Sequence, residues 1–209
     1  MGGYSTMYMI IRLIIGFIFL VSSIAVIKTY KTARKHILYA VFAGLSLILV
    51  TVLSFLPIEN FFVTFDSPKA AYEYFNSGKS NIELVVKGDN CDFIIDRKKD
   101  SDTYLIVPKT ANGWKIGIGS ETKRIVQKFS GGVVVYVYQY KNTNDYFVTV
   151  FDTNGEKLTI SDEYNTEFYP LERTDNALGK TFVTYYAHIT DLDSQYSVTV
   201  NGSKIVLKD

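Results

Sequence analysis

ILYAVFAGLSLILVTVLSFL, residues 37–56, runs for 20 positions without a charged side chain. At about 1.5 Å per helical residue this matches the roughly 30 Å hydrocarbon core of a bilayer. The stretch therefore predicts a transmembrane helix, with Gly44, Ser46, Thr51 and Ser54 suited to a helix-to-helix face and Pro57 as its stop. Upstream, Leu13 to Ile27 (LIIGFIFLVSSIAVI) is a shorter apolar run. Tyr8 to Ile11 extends it to a second span over residues 8–27, provided that Arg12 carries its guanidinium to the interface. An arginine this close to a helix end is expected to be an interface anchor; the alternative is a partner helix or polar pocket that faces it.

Between the spans, KTYKTARKH places Lys28, Lys31, Arg34 and Lys35 in a turn without an acidic residue. Short basic loops of this kind stay on the cytoplasmic side. Residues 1–58 then form a transmembrane helical hairpin in the cell membrane, and residues 59–209 form an extracytoplasmic domain. Charge divides the chain at the same place: the first 58 residues carry +5 and the remainder −4, although the whole chain is only +1. The division indicates a membrane part joined to a soluble part, and it excludes the strongly basic balance of a nucleic-acid-binding chain. A hydrophobic content of 47% likewise excludes disorder. So few residues face the cytoplasm that an inward enzymatic or DNA-binding output domain has no room. Two other readings of the N-terminus are weaker. Cleavage of the first run as a signal peptide at Ser23 and Ala25 conflicts with the single late positive charge before it and the basic stretch after it. The opening Met1-Gly2-Gly3-Tyr4-Ser5-Thr6 fits a loose myristoylation pattern that adds little beside two spans.

Past the hairpin, Phe61, Phe62 and Phe65 join Phe55 as an aromatic belt at the outer boundary. Ser67-Pro68 then reads as a helix start, with serine capping free amides and proline at the first helical position. A short juxtamembrane helix is predicted to about Asn76, ended by Ser77-Gly78, with Ala71, Tyr72 and Phe75 on the face that packs on the soluble domain. Beyond Gly78 the texture is β: short runs rich in Val, Ile, Tyr, Phe and Thr between Asn, Asp, Gly and Ser. Ten strands are predicted, at residues 82–86, 92–95, 103–107, 114–118, 133–140, 146–151, 157–160, 181–188, 196–200 and 204–207. Turns are expected at 87–90, 111–113, 141–144, 152–155 and at Asn201-Gly202, whose two residues suit a turn with positive φ at both positions. The fold class is thus two N-terminal transmembrane α-helices followed by a mostly antiparallel β domain, a sandwich or meander, with one short juxtamembrane helix.

Chemistry is sparse. Cys91 is the one cysteine, so no internal disulfide can form, and it is expected to pack as a small apolar residue at a strand start. His36 and His188 are the two histidines and form no zinc-ligand cluster; no metal or other cofactor is expected. Gly117-Ile118-Gly119-Ser120-Glu121 is not a nucleophile elbow, which leaves His188 and Ser120 as the weak elements of a serine hydrolase; a turn is the better reading. Asp152 to Glu156, Asp162-Glu163 with Glu167, and Asp191 to Asp193 complete no twelve-residue calcium loop and read as solvated turns. Asn201-Gly202-Ser203 also fits a glycosylation sequon, but the turn explains it. The tyrosines stand apart. In VVVYVYQY, Tyr136, Tyr138 and Tyr140 share one strand face while Val133, Val135 and Val137 share the other, with Tyr185 and Tyr186 as neighbours. Turned outward, such a ladder would bind sugars, peptides or proteins; covered by a second layer, it would stabilise the sheet, and covering is favoured.

PIENFFVTFDSPKAAYEYF, residues 57–75, resembles a segment of small membrane proteins of Gram-positive bacteria that follow two N-terminal spans with an F-x-[ST]-P-x-x-A-[FY]-like helix and an extracytoplasmic β domain. The likeness covers about a tenth of the chain and implies location rather than a reaction. The expectation is a non-catalytic surface protein, anchored in the lipid bilayer, whose β domain binds an envelope polymer or a membrane protein partner. Its rivals are a carboxylate-based hydrolase of envelope polymers and an immunity protein against a secreted peptide.

Overall fold

A computed structural model describes residues 6–29, 35–76, 80–98, 102–117, 122–175, 179–190 and 192–207. Lys31, Arg34, Ser77, Gly78, Ser120 and Asp191, and the residues of the myristoylation pattern before Thr6, lie outside these ranges. Helix α1 (Thr6–Thr29) and helix α2 (Lys35–Ser54) are both long and apolar enough to cross a membrane. They cross closely where Ser46 Oγ donates to the Gly16 carbonyl at 2.8 Å. A Cβ on Gly16 would stand 2.2 Å from Val50, so only glycine permits this approach. Of Gly44, Ser46, Thr51 and Ser54, Ser46 makes that bond: Thr51 and Ser54 return their hydroxyls to their own helix, and nothing lies within 4 Å of a Cβ on Gly44.

Arg12 corrects the expectation of an interface anchor. It is 0% exposed, and each of its five N–H groups has an acceptor. Nε donates to the Leu53 carbonyl at 3.0 Å, Nη1 to the Tyr8 carbonyl at 3.1 Å and to Glu59 Oε1, and Nη2 to the Leu56 carbonyl at 2.8 Å and to Glu59 Oε2 at 2.8 Å. The Tyr8 ring lies 3.3 Å from the guanidinium carbon, and the Tyr8 hydroxyl donates to the Ser54 and Leu56 carbonyls. Carbonyls at the end of α2 and just beyond it, those of Leu53, Ser54 and Leu56, thus accept from side chains of α1. Glu59 sits in a 3-10 turn (Ile58–Phe61) just beyond Pro57 and also accepts from Tyr74 at 2.9 Å. Burial alone pushes its carboxyl up, but the bonds from Arg12 and Tyr74 outweigh it and hold Glu59 below the ordinary range.

Helix α3 (Pro68–Phe75) starts as its sequence requires: Ser67 Oγ accepts from the Ala70 amide at 3.1 Å, and Pro68 opens the first turn. One side of α3 places Tyr74 and Phe75 against Tyr8 of α1 at ring separations of 6.3 and 5.2 Å. Ala71 and Tyr72, with Phe75 against the same cluster, pack on Ile94, Leu105 and Val107 of a four-stranded sheet. That sheet has the order β1 (Ile82–Lys87), β2 (Cys91–Arg97), β3 (Asp102–Thr110) and β4 (Gly113–Trp114). A five-stranded sheet follows in the order β5 (Thr122–Ser130), β6 (Val133–Tyr140), β7 (Tyr146–Asp152), β10 (Lys180–Ile189) and β9 (Tyr169–Asp175). A three-stranded sheet closes the stack with β12 (Ser203–Val206), β11 (Ser197–Val200) and β8 (Ile160–Asp162). All the pairings are antiparallel.

The five-stranded sheet is the middle layer. Its Val135, Val137, Val148 and Val150 face Val198, Val200 and Leu207. Its other face sets Tyr140, Phe147 and Tyr186 against Phe93, Ile95 and Ile106 of the first sheet. Two hairpins close with paired positive φ: Gly131 (55°) with Gly132 (88°), and Asn201 (49°) with Gly202 (81°). Strands β5 and β9 went unpredicted because TKRIVQKFS and YPLERTD are rich in charge and the second holds Pro170; these are the two edges of the sheet, where charge and proline block further pairing. Of the strand expected at 114–118, Trp114 alone among the described residues is in a strand, as part of β4, and Ile118 lies outside the described ranges. After β4 the Ile116 backbone pairs with the Asn60 side chain, and a Cβ on Gly117 would stand 1.9 Å from the Ile106 carbonyl oxygen. The strand expected at 157–160 begins only at Ile160, since the Leu158 amide donates to the Tyr185 hydroxyl.

Removing one partner of a buried ion pair strands the other. Arg12→Leu or Glu59→Leu alone should each lower the stability of the full chain in lipid nanodiscs by about 3–5 kcal/mol, whereas the double substitution should recover a large part of that loss. Thermal unfolding midpoints of the four proteins test this; additive losses would break the coupling.

Candidate functional site

At one end of the stack the first sheet stops short of covering the middle one and leaves a cleft of about 460 Å³. Its floor is the middle sheet. Antiparallel register puts Tyr136 of β6 opposite Thr149 of β7, and Thr149 opposite Tyr186 of β10, so these side chains share a face. Along the same face run Tyr138, Phe151, Thr184 and Phe182, with Leu171 and Arg173 from β9. Asp102 and Tyr104 at the start of β3 form the overhanging wall. Tyr104 is 44% exposed and stacks on Phe93 at 5.9 Å, which in turn stacks on Tyr138 at 5.9 Å. Arg124 of β5 lies 5.0 Å from the centroid of the Tyr136 ring. Burial holds the Tyr104 and Tyr138 hydroxyls above the ordinary phenol range, so both stay neutral donors at physiological pH.

Among the described residues, three buried side-chain polar atoms have no hydrogen-bond partner: Thr149 Oγ1, Asp102 Oδ1 and Arg97 Nε. Two of them belong to residues that line the cleft. Arg97 is the cross-strand partner of Asp102, so the third belongs to the same end of the stack. Thr149 is 5% exposed and sits in the centre of the floor.

The tyrosines singled out in the sequence divide. Tyr136 and Tyr138 line the cleft and are half-buried. Tyr140 and Tyr186 are buried between the first two sheets, with the Tyr186 hydroxyl donating to that of Tyr104 at 3.4 Å. Tyr185 points to the opposite face and packs with the valine layer. The row of Tyr136, Tyr138 and Tyr140 is thus covered by the first sheet at Tyr140 and opens on the cleft at Tyr136 and Tyr138. The alternation of β6 revealed which residues share a face, but not that Asp102, Tyr104, Phe182 and Arg173 complete the cleft. Those come from strands distant in sequence, and no local pattern marks them.

The other candidate residues have structural work. His188 Nε2 pairs with Asp145 Oδ1 at 2.7 Å, and Asp145 also accepts from the Asp89 and Asn90 amides at 2.8 Å each. This carboxylate ties the β1–β2 turn to β7 and β10. Burial pushes its pKa up, but the amides and His188 pull harder and hold it below the ordinary aspartate range. Cys91 opens β2 and is fully buried; burial first, and then the Asp145 carboxylate, push its thiol far up and keep it protonated. Asp152 and Asp162 spend their oxygens on turn amides, Asp162 also on Thr166 and Tyr196 hydroxyls. Among the described residues no group of three His, Cys, Asp or Glu side chains could hold a metal. No protein-family model, curated protein or solved structure matches the chain.

A carboxyl with a depressed folded-state pKa contributes stability above its unfolded pKa and loses it as pH falls through the folded value. Wild-type stability should therefore drop as pH falls below about 4. Asp145→Asn should cost about 1–3 kcal/mol at neutral pH and flatten that acid limb. Unfolding midpoints measured from pH 7 downward test both effects; an unchanged acid limb would remove Asp145 from the account.

Proposed function

We propose that the chain is a membrane-anchored, non-catalytic binding protein of the cell surface. In this reading α1 and α2 span the plasma membrane, the loop carrying Lys28, Lys31, Arg34 and Lys35 stays cytoplasmic, and the β domain faces outward. The exposed Phe61 and Phe62, at 82% and 87%, sit where the outer interface would lie and suit its headgroup region. The cleft beneath Tyr104 is the binding site, and its partner is a component of the envelope.

The observation that carries this is the unpartnered Thr149 hydroxyl at the floor of an aromatic-lined cleft. A pocket of this size, with several rings and a few convergent polar groups, is the usual form of a ligand site. One carboxylate, Asp102, is among its described lining residues, whereas glycoside hydrolysis commonly uses a pair. The likeness of residues 57–75 to two-span proteins of Gram-positive bacteria agrees with the placement.

Protease added to intact cells should remove the domain beyond Pro57 and spare the basic loop; a domain protected until the membrane is opened would reverse the topology. For the site, p-benzoylphenylalanine placed at Tyr136 should form ultraviolet crosslinks to an envelope component in intact cells, while the same probe at Tyr185 should form none. Equal yields from the two positions would remove the cleft as the site.

A further inference from the structure

We propose that the cleft takes a saccharide, a short stretch of a polyhydroxylated chain, stacked on Tyr136 and Tyr138 and hydrogen-bonded to Thr149 and Asp102. The inference rests on the cleft being the binding site and names what binds there.

The floor excludes one common occupant. Strands β6, β7 and β10 are interior strands of the middle sheet, each paired on both sides, so their backbone N–H and C=O groups are committed to ladders. A peptide adds to a sheet through a free edge; the interior strands of the floor offer none, and the free edges beside the cleft are those of β9 and of β3 before Lys109. On the floor, recognition must come from side chains. Those present are flat rings, a hydroxyl, a carboxylate and a guanidinium. Rings offer broad contact to the C–H face of a pyranose at small entropic cost. The unpaired polar atoms set the rest. Thr149 Oγ1 can donate and accept and Asp102 Oδ1 only accepts; Arg173, which also lines the cleft, only donates. A ligand that meets all three needs groups that both give and take hydrogen bonds, which is what sugar hydroxyls supply. A purely apolar ligand would leave Thr149 and Asp102 buried and unpaired, which is unfavourable. A polyanion would meet the carboxylate of Asp102 at the wall.

Thr149 gives the inference a signature that a structural residue would not show. Replacing an unpaired buried hydroxyl by an isosteric methyl leaves a fold as stable or more so. If a ligand hydroxyl is its partner, Thr149→Val should weaken binding while leaving the melting temperature unchanged or raised.

The test uses the full chain in nanodiscs, titrated with chitohexaose, cellohexaose and maltohexaose and, separately, with a hexapeptide library. At least one hexasaccharide should bind. Tyr136→Ala should weaken it by at least about tenfold, and Asp102→Asn and Thr149→Val by several-fold, with melting temperatures showing that each variant is folded. If no hexasaccharide binds while the Tyr136 photoprobe still crosslinks, the saccharide assignment falls and the cleft reading stands. If a hexasaccharide binds but ignores Tyr136→Ala and Thr149→Val, or if neither sugar nor photoprobe gives a signal, both fall.

Discussion

A guanidinium with no exposure to solvent at the edge of an apolar hairpin can persist only if every donor is met and its charge is matched, and the whole arrangement of this chain follows from how Arg12 meets that demand. Its partners are drawn from three places. The end of α2 and the residues just after it supply the Leu53 and Leu56 carbonyls, the turn beyond Pro57 supplies Glu59, and α3 reaches the same carboxylate through Tyr74. Glu59 is the first acidic residue of the chain and Arg12 the first basic one. Their pairing folds the end of the hairpin back on its beginning and brings α3 against Tyr8. Because α3 also packs on the first sheet, the β domain is seated on the hairpin by packed side chains rather than hung from a loose linker.

The layer order then explains the cleft. A sheet covered on both faces needs apolar or aromatic side chains on both, and β6 provides valines on one and tyrosines on the other. Coverage is uneven. Near Tyr140 and Phe147 the strands β2 and β3 press Phe93 and Ile106 onto the tyrosine face. Near Tyr136 and Phe151 the cover gives out, and the face opens beside Asp102. The same row of tyrosines is thus core at one end and wall at the other, and the rings stacked from Tyr104 through Phe93 to Tyr138 join the two regions.

What was legible in the residues followed from local rules. Hydropathy gave both helices, Ser67-Pro68 gave the start of α3, Asn201-Gly202 gave the last hairpin, and the alternation in residues 133–140 gave β6 to the residue. What was not legible depended on partners far along the chain. Arg12 looked like an anchor because its counter-charge stands 47 residues away, beyond a second helix. The edge strands were hidden by the very charges that protect edges. In the site, Tyr136 and Tyr138 could be read from one strand, but Arg173 joins them only once three strand pairings are in place, and Asp102 only once the first sheet packs on the middle one.

Buried polar groups elsewhere in the domain show that this chain can satisfy such groups where stability alone is at stake. Asp96 accepts from the Tyr72 hydroxyl and the Asn81 amide, Asp92 from the Trp114 indole, and Asp145 from two amides and a histidine. A threonine left without a partner in the middle of an interior strand breaks that pattern, and valine would fit the same β position without the unpaired hydroxyl. Where local choices agree with the fold almost everywhere, a disagreement tends to fall at a place under another constraint. Here the disagreements fall together: Thr149, Asp102 and Arg97 are gathered at the one end of the stack where the sheets part. Packing alone gives no reason for that clustering, whereas a ligand that brings its own donors and acceptors gives one.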